Sequence, residues 1–275
     1  MKHILIPTDF SEYSWNALKY SISFFKEIET TFYLLHISPL LIDDEDLIDN
    51  PNASSESENI IQEKLNTLIK KTEEFSTTGK HHFEALHDHL QFVNSIRNQV
   101  ADKGIDMIVM GTRSNSGSKD TTLGSYTEDV ITRVKCNALI IPEKTKFKKL
   151  KEIVFPTDFN ILFKNKVLST ISDILKNYNS TLNVLNISKK EKSLTSLQKI
   201  NKECLEDSLA DNQLKFHFVS NSNIENALQF FIENREVDMI TIVAKNLNFS
   251  QRILFRPTVA RISYLTEIPF LILHE

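Results

Sequence analysis

The chain repeats itself, and this repeat limits the folds that it can adopt. Residues 4–10 read ILIPTDF and residues 153–159 read IVFPTDF, so an apolar run, a Pro-Thr-Asp turn and a phenylalanine recur together. Residues 238–275 align with residues 106–143 without a gap, and both segments begin with Asp-Met-Ile and end in an apolar run and a glutamate. The sequence therefore predicts a tandem duplication, with domains at 1–143 and 151–275 joined by a lysine-rich link.

Within the first half, apolar runs typical of buried strands alternate with segments of helical periodicity. Strands are predicted at residues 4–7, 31–38, 81–86 and 106–110, with helices near residues 15–25, 60–75 and 93–100. This alternation predicts an α/β fold, in which right-handed βαβ units build parallel sheets with helices on both faces. Residues 39–58 are acidic and rich in Ser and Asn, and they predict a mobile loop that the second half lacks.

The most informative loop follows the fourth strand. It contains three glycines, Gly111, Gly117 and Gly124, and an amphipathic segment begins at Ser125. Unpaired N–H groups in such a loop and in the first turn of a helix form a cradle for anions, and phosphate is the natural occupant. Ser125-x-x-Glu128 also fits a simple capping box, so Ser125 either caps the helix or turns its hydroxyl towards a phosphate. The residues alone leave both interpretations open.

The predicted parallel sheet gives this loop a reason to bind a ligand. Ligands of such sheets lie beyond the carboxyl ends of the strands, where the strand order reverses. Asp9 follows the first strand and Gly111 ends the fourth. These two residues flank that crevice if their strands are neighbours.

Charge and hydropathy exclude several classes of partner. The formal net charge is −4, with mixed signs and no basic block, which argues against nucleic acid. No apolar run reaches the ~18 residues that span a bilayer, so we expect no membrane partner. The N-terminus enters a strand pattern at once, without a signal peptide, so we expect a cytoplasmic protein.

Cysteine and histidine give no strong indication of a metal site. Cys136 and Cys204 have no ligand spacing, and we interpret both as structural thiols. Four histidines could bind a metal, but they straddle a predicted strand end with only Asp88 among them, so we expect solvated histidines and no metal. These four are His81, His82, His87 and His89.

Several short motifs together resemble the universal stress protein family in its tandem-domain form. They are Pro-Thr-Asp-Phe-Ser after the first strand, Met-Gly-Thr-Arg after the fourth, Leu-Gly-Ser before the last helix of the first half, and a closing Leu-Ile-Ile-Pro. The resemblance covers nearly the whole chain. It implies two Rossmann-like domains of the adenine nucleotide alpha hydrolase type, each a five-stranded parallel sheet of order 3-2-1-4-5. It also implies that the final strands of the two halves pair.

ATP-binding members of the family carry Gly-x2-Gly-x9-Gly-Ser/Thr, whose backbone and hydroxyl hold the phosphates, while an aspartate after the first strand and main chain after the second hold adenosine. The first half matches this spacing except that Ser114 replaces the second glycine. If that position needs a positive φ, a serine costs on the order of 1 kcal/mol, or roughly five- to tenfold in affinity. The resemblance therefore implies ATP, with or without Mg²⁺, bound weakly or not at all. The implied contacts are Thr8, Asp9, Ile37, Met110, Gly111, Arg113, Ser114, Gly124 and Ser125.

The second half lacks the residues of this site. All five glycines lie in the first half, and Val243, Arg256 and Pro257 take the positions of Gly111, Gly124 and Ser125. Pro257 offers neither a hydroxyl nor an N–H group, and the arginine occupies phosphate space. We interpret Asp158, the equivalent of Asp9, as a turn carboxylate.

Three functions compete. The first is an ATP-binding regulatory protein in the stress response that binds through its first half only, and the second is a nucleotide-free interaction scaffold with both sites silent. The third, an enzyme, is disfavoured because there is no Walker motif and no second carboxylate beside Asp9 to hold Mg²⁺. We expect no catalytic residues, at most slow ATP hydrolysis, an unidentified protein partner, and either a monomer with an internal pseudo-dimer or a homodimer.

Overall fold

The structure is a computed structural model that describes residues 1–38, 53–112, 124–188, 193–221, 223–245, 253–254 and 267–275. The chain divides into two compact units, Met1–Gly111 and Thr112–Glu275. Both units contain parallel strands joined by helices, as the alternating pattern predicts. None of the helices in these ranges is both long and apolar enough to cross a bilayer.

Among the residues that the structure describes, the first unit contains four strands and three helices. They are β1 (Lys2–Pro7), α1 (Glu12–Phe24), β2 (Thr30–Ile37), α2 (Ala53–Phe75), β3 (His81–Asp88), α3 (Phe92–Asp102) and β4 (Met107–Thr112). All strand pairs are parallel and follow the order β3-β2-β1-β4. The predicted adjacency of the first and fourth strands is therefore confirmed, and Ile4 pairs with Met107.

The centre of this sheet is buried on both faces. Ile4, Leu5 and Ile6 are consecutive residues of β1, and all three are buried. Because consecutive strand residues point to opposite faces, helices must cover both sides. The steps from β1 to β3 run in one direction across the sheet and the step to β4 runs back, and with crossovers of the usual right hand this order places helices on both faces.

The second unit contains six strands and four helices among the described residues. They are α4 (Ser125–Arg133), β5 (Asn137–Pro142), β6 (Glu152–Thr157), α5 (Asn165–Tyr178), β7 (Thr181–Ser188), α6 (Ser196–Ser208), β8 (Gln213–Ser220), α7 (Ile224–Glu233), β9 (Met239–Val243) and β10 (Phe270–Leu273). Strands β6 to β10 follow the order β8-β7-β6-β9-β10, which is the predicted 3-2-1-4-5.

The last strands of the two sequence repeats pair with each other. β5 and β10 are antiparallel, with Leu139 opposite Leu271, and both strands are fully buried. Pairing removes two apolar edges that would otherwise promote aggregation. The pairing prediction is confirmed, while a pseudo-two-fold relation between the halves stays a prediction. The domain limits 1–143 and 151–275 describe the sequence repeat and also stay a prediction.

Two boundaries predicted from the sequence, the start of α2 and the end of β3, are corrected. Residues 53–58, assigned from sequence to the mobile loop, are the first residues of α2. Their Ser-rich composition resembles a loop, but alanine and glutamate favour helix. The helix therefore begins before the apolar periodicity that starts at Ile60. β3 extends past Leu86 to Asp88, because its ladder with β2 continues to Ile37. The predicted loop residues 39–52 lie outside the described residues.

A buried aspartate binds the backbone at the start of β6. Asp238 precedes β9, and its Oδ2 accepts hydrogen bonds from the backbone N–H groups of Lys151 (2.7 Å) and Glu152 (3.0 Å). Its Oδ1 lies 2.7 Å from Lys148 Nζ. The repeat-related Asp106 accepts one backbone bond, from His3 (2.8 Å), and is more exposed. The shared Asp-Met-Ile of the two repeats therefore has a structural role.

Replacing these two aspartates with alanine should cost unequal amounts of stability. Asp238→Ala leaves two backbone donors and a lysine without their carboxylate and should lower the free energy of unfolding by on the order of 3 kcal/mol. Asp106→Ala should cost ~1 kcal/mol, because solvent replaces much of its interaction. Urea unfolding followed by circular dichroism measures both values. Equal losses would contradict this assignment.

Candidate functional site

The Pro-Thr-Asp-Phe motif forms the same turn in both halves. After β1, the Phe10 N–H donates to Thr8 Oγ1 (3.1 Å), and Phe10 has a positive φ of 63°. After β6, the Phe159 N–H donates to Thr157 Oγ1 (3.0 Å), and Phe159 has a φ of 55°. A positive φ is unusual for a bulky residue, and both turns share it together with the same hydrogen bond. We therefore interpret the repeated motif as one that reverses the chain direction.

The aspartate of the motif also closes the turn in both halves. Asp9 Oδ1 accepts from the Ser11 N–H (3.1 Å), and Asp158 Oδ1 accepts from the Asn160 N–H (3.0 Å). This agrees with the prediction that Asp158 is a turn carboxylate. Asp9 has the same role, so the turn alone does not distinguish a binding half from a silent one.

Asp9 differs from Asp158 in the further donors that surround it. The Ser11 hydroxyl donates to Asp9 Oδ1 (2.5 Å), and the Tyr13 hydroxyl donates to Oδ2. Burial opposes ionisation, but the hydrogen bonds from Ser11 and Tyr13 outweigh burial and lower the pKa of Asp9. The side chain is therefore an oriented carboxylate at neutral pH, and it lies on the exposed side of the turn.

Thr8 and Ile37 lie at the carboxyl ends of neighbouring strands. The Thr8 N–H donates to the Leu35 carbonyl (2.8 Å), and the His36 ring donates from Nδ1 to the Thr8 carbonyl (2.8 Å). Ile37, the last residue of β2, is half-buried. The residues predicted to contact adenosine therefore stand along one edge of the first unit.

Gly111 is required by the packing of the first unit itself. A Cβ at this position would lie 2.3 Å from the carbonyl oxygen of Tyr13, in the first turn of α1. Its neighbour Met110 is buried, so only the backbone of Met110 is available to a ligand. From the sequence we associated Gly111 with phosphate binding. In the structure, the missing side chain of Gly111 allows α1 to pack closely against the end of β4.

Val243 is the residue of the second half that aligns with Gly111, and in that half the helix after the first strand begins later. Glu12 begins α1 and aligns with Ile161, but α5 begins only at Asn165. Val243 is buried and lines a small cavity with Ile161 and Phe163. The valine occupies the space that the first turn of α1 fills in the first half.

Gly124 has no comparable internal constraint. A Cβ there would lie 3.6 Å from Thr112 Oγ1, an ordinary contact, and its φ of −59° suits any residue. The Gly124 N–H donates to Thr112 Oγ1 (3.2 Å), so the two residues that flank positions 113–123 are joined. Thr112 was not predicted as a site residue, although its replacement by Ala244 in the gapless alignment was a usable signal.

The capping-box interpretation of Ser125 is wrong. Gly124 is the N-cap of α4, and no side chain caps this helix. Ser125 is the first helical residue, and it is exposed. Its hydroxyl therefore lies at the first turn of α4, where the N–H groups have no intrahelical acceptors. Arg113 and Ser114, the other predicted phosphate contacts, lie outside the described residues.

In the second half, the residue that aligns with Arg113 belongs to an ion-pair network. Lys245 aligns with Arg113, and its Nζ lies 2.7 Å from Glu275 Oε2. Lys164 Nζ lies 3.6 Å from the same oxygen, and the Glu275 side chain is only 9% exposed. The Lys245 charge is therefore balanced internally.

A cavity of about 480 Å³ opens in the first unit, lined by residues of α1, α2, β1 and β2. Its lining mixes apolar side chains with polar and charged ones, and Lys71 Nζ at the lining lies 4.1 Å from the centroid of the Trp15 ring. Of the seven predicted nucleotide contacts that the structure describes, Thr8 lines it. The cavity therefore adjoins the predicted site at Thr8.

The four histidines are not all solvated, contrary to expectation. His81 is buried, with Nδ1 2.9 Å from Ser76 Oγ and Nε2 3.1 Å from the Phe25 carbonyl. Burial lowers the pKa of His81 and that of His87, so both rings are neutral near pH 7. His82 is exposed, whereas His87 and His89 are half-buried. Both cysteines are free, as predicted.

The two glycines should respond differently to alanine. Gly111→Ala forces a Cβ against backbone that cannot easily move and should lower the free energy of unfolding by roughly 1–3 kcal/mol. Gly124→Ala meets open space and should cost less than ~1 kcal/mol. Urea unfolding of both variants tests this difference. A larger loss at Gly124 would be incompatible with the geometry.

Comparisons with known proteins agree with the architecture. The model of the universal stress protein family matches residues 1–142. A universal stress protein of Methanocaldococcus jannaschii is 29% identical over 149 residues, which are 53% of this chain and 84% of that protein.

Two solved structures match along the whole chain. A universal stress protein from Archaeoglobus fulgidus has a TM-score of 0.67 at 18% identity, covering 99% of this chain and 98% of that one. A Pseudomonas aeruginosa structure attributed to the same family has a TM-score of 0.56 at 13% identity, covering 99% and 93%. These likenesses establish the fold, and the family model covers half of the chain. The chain therefore belongs to the universal stress protein family.

Proposed function

We propose that this protein is a regulatory ATP-binding protein in which only the first sequence repeat binds the nucleotide. Occupancy by ATP changes the surface that the protein offers to a partner. The observation that carries the proposal is the hydrogen bond from the Gly124 N–H to Thr112 Oγ1 (3.2 Å). It joins Thr112 to Gly124 at the N-terminus of α4, where anions bind favourably.

The start of α4 suits a phosphate group. The first N–H groups of a helix lack intrahelical partners, and the helix dipole adds partial positive charge there. Ser125 adds an exposed hydroxyl at the first helical position, and Gly124 has no side chain to obstruct an approaching oxygen. In this proposal the phosphates contact Gly111, Ser114, Gly124 and Ser125, and Arg113 adds charge.

Asp9 and Ile37 suit the adenosine end of the nucleotide. Ser11 and Tyr13 orient the Asp9 carboxylate, which is exposed to solvent. In this proposal the exposed carboxylate accepts a hydrogen bond from a ribose hydroxyl or an adenine amino group. A carboxylate would repel phosphates, so adenosine is the end that belongs beside Asp9.

The second half has lost each of these features by a different change. Ala244 replaces Thr112, so the second half lacks the hydroxyl that accepts the Gly124 hydrogen bond in the first half. Lys245 is paired with Glu275 at 2.7 Å, and its charge is not available to a phosphate. Arg256 and Pro257 replace Gly124 and Ser125. These changes support one nucleotide per chain.

Efficient turnover is not part of this proposal. Phosphoryl transfer needs groups that hold Mg²⁺ and position a nucleophile, and the sequence offers neither a Walker motif nor a carboxylate pair at this place. The alternative function is a nucleotide-free scaffold. Exposed apolar side chains of the second half, of which Phe218 and Phe230 are 57% and 67% exposed, favour a protein partner in either case.

Isothermal titration with ATP should give one site per chain, and Gly124→Arg should abolish it. The arginine, which copies Arg256, fills the space above the helix N-terminus without disturbing a buried contact. Gly124→Ala is the matched control for the fold, and it should bind ATP more weakly than wild type but measurably. Arg256→Gly should add no second site, because Val243 and Pro257 remain.

Two results would contradict this account. One is a stoichiometry of two ATP molecules per chain, and the other is unchanged affinity in Gly124→Arg. If the wild-type protein binds no ATP while remaining folded by circular dichroism, the scaffold is the better description.

A further inference from the structure

Three side chains from separate parts of the first unit meet near the end of β3. His87 belongs to β3, His89 follows it, and Glu58 comes from α2. Glu58 Oε1 lies 3.7 Å from His87 Nδ1 and 3.4 Å from His89 Nε2. The three donor atoms lie within 4.8 Å of one another.

The outer side of each imidazole is held by Ser38. His89 Nδ1 lies 3.1 Å from the Ser38 carbonyl oxygen, and a carbonyl only accepts, so this nitrogen carries the proton. The other nitrogen of His89, Nε2, therefore faces the Glu58 carboxylate at 3.4 Å, and a metal cation held between the two would be attracted by the carboxylate charge.

His87 has a similar arrangement. Its Nε2 lies 3.1 Å from the Ser38 hydroxyl, and its Nδ1 faces Glu58. A hydrogen bond from the outer nitrogen of a histidine to a neighbouring oxygen is the usual support for a metal-binding ring, because it fixes the tautomer and the ring orientation. Ser38 provides this support to both histidines.

The segment that carries the two histidines is itself held in place. The Ser38 N–H donates to the Asp88 carbonyl (2.9 Å). The Asp88 carboxylate accepts from the Leu90 N–H (3.0 Å) and from the Ser95 hydroxyl (2.7 Å). The ring centroids of His87 and His89 are 4.5 Å apart. The two imidazoles are therefore positioned by the fold rather than by a ligand.

We propose that Glu58, His87 and His89 bind a divalent transition metal of the zinc type. Tetrahedral zinc with ligands at 2.0–2.1 Å separates neighbouring donor atoms by roughly 3.3–3.4 Å, and the two observed separations from Glu58 are 3.4 and 3.7 Å. Two imidazoles and one carboxylate favour zinc, cobalt or nickel over magnesium and calcium. Three protein ligands leave a fourth position for water or an incoming ligand.

This inference revises the expectation of no metal, and the sequence shows why the site was missed. The histidines were visible, but the carboxylate comes from a residue that the pattern placed in a loop. The proposal is also independent of ATP binding, because it uses none of the nine nucleotide contacts. Either proposal can fail while the other stands.

Zinc binding to untagged protein is measured by competition with a chromogenic chelator, and cobalt is used for its visible spectrum. We expect one metal per chain, with a cobalt spectrum of four-coordinate nitrogen and oxygen ligands. His87→Ala, His89→Ala and Glu58→Gln should each weaken binding more than tenfold. His82→Ala removes an exposed histidine of the same strand and should bind as wild type does.

Thermal melting by circular dichroism establishes that each variant is folded before its titration. Cys204→Ser controls for the half-buried thiol, and a thiolate band in the cobalt spectrum would assign the metal elsewhere. No binding by wild type, or equal binding by the three ligand variants and His82→Ala, would overturn the proposal.

Discussion

The close approach of α1 to the end of β4 determines how the first half is built. The Gly111 backbone lies so near the Tyr13 carbonyl that any side chain would collide with it. This contact lets α1 begin immediately after the turn that follows β1. Where Val243 replaces the glycine, the equivalent helix starts later, at Asn165. The absence of a side chain at Gly111 thus affects where α1 begins, at the edge of the sheet where ligands of this fold bind.

The two halves share their framework but not their chemistry. The Pro-Thr-Asp-Phe turn has the same hydrogen bonds and the same positive φ in both, so its retention reflects chain reversal. The differences lie where a phosphate would bind. The first half has Thr112 and Gly124 joined by a hydrogen bond, whereas the second half has Ala244 and the paired Lys245. The two halves therefore share the turn, whereas the residues that we propose hold a phosphate in the first half differ in the second.

The sequence predicted the parts of the structure that depend on periodicity. The alternation of strands and helices follows from apolar periodicity, and the pairing of β5 with β10 follows from the repeat and the apolar character of its final strands. The strand order was implied by the resemblance to the family. Prediction from the sequence failed where a contact depends on tertiary geometry. Ser125 reads as a cap, but the helix begins one residue earlier than that reading requires. The approach of Glu58 to His87 and His89 joins distant segments, and no local pattern indicates it.

Hydrogen exchange measured by mass spectrometry, with and without ATP, tests the central claim most directly. It reads the backbone N–H groups that the claim assigns to phosphate binding, and it reads both halves in one experiment. Our account predicts that ATP slows exchange in peptides covering residues 106–128 and leaves residues 238–275 unchanged. Equal slowing in both segments, or slowing confined to residues 238–275, would contradict it.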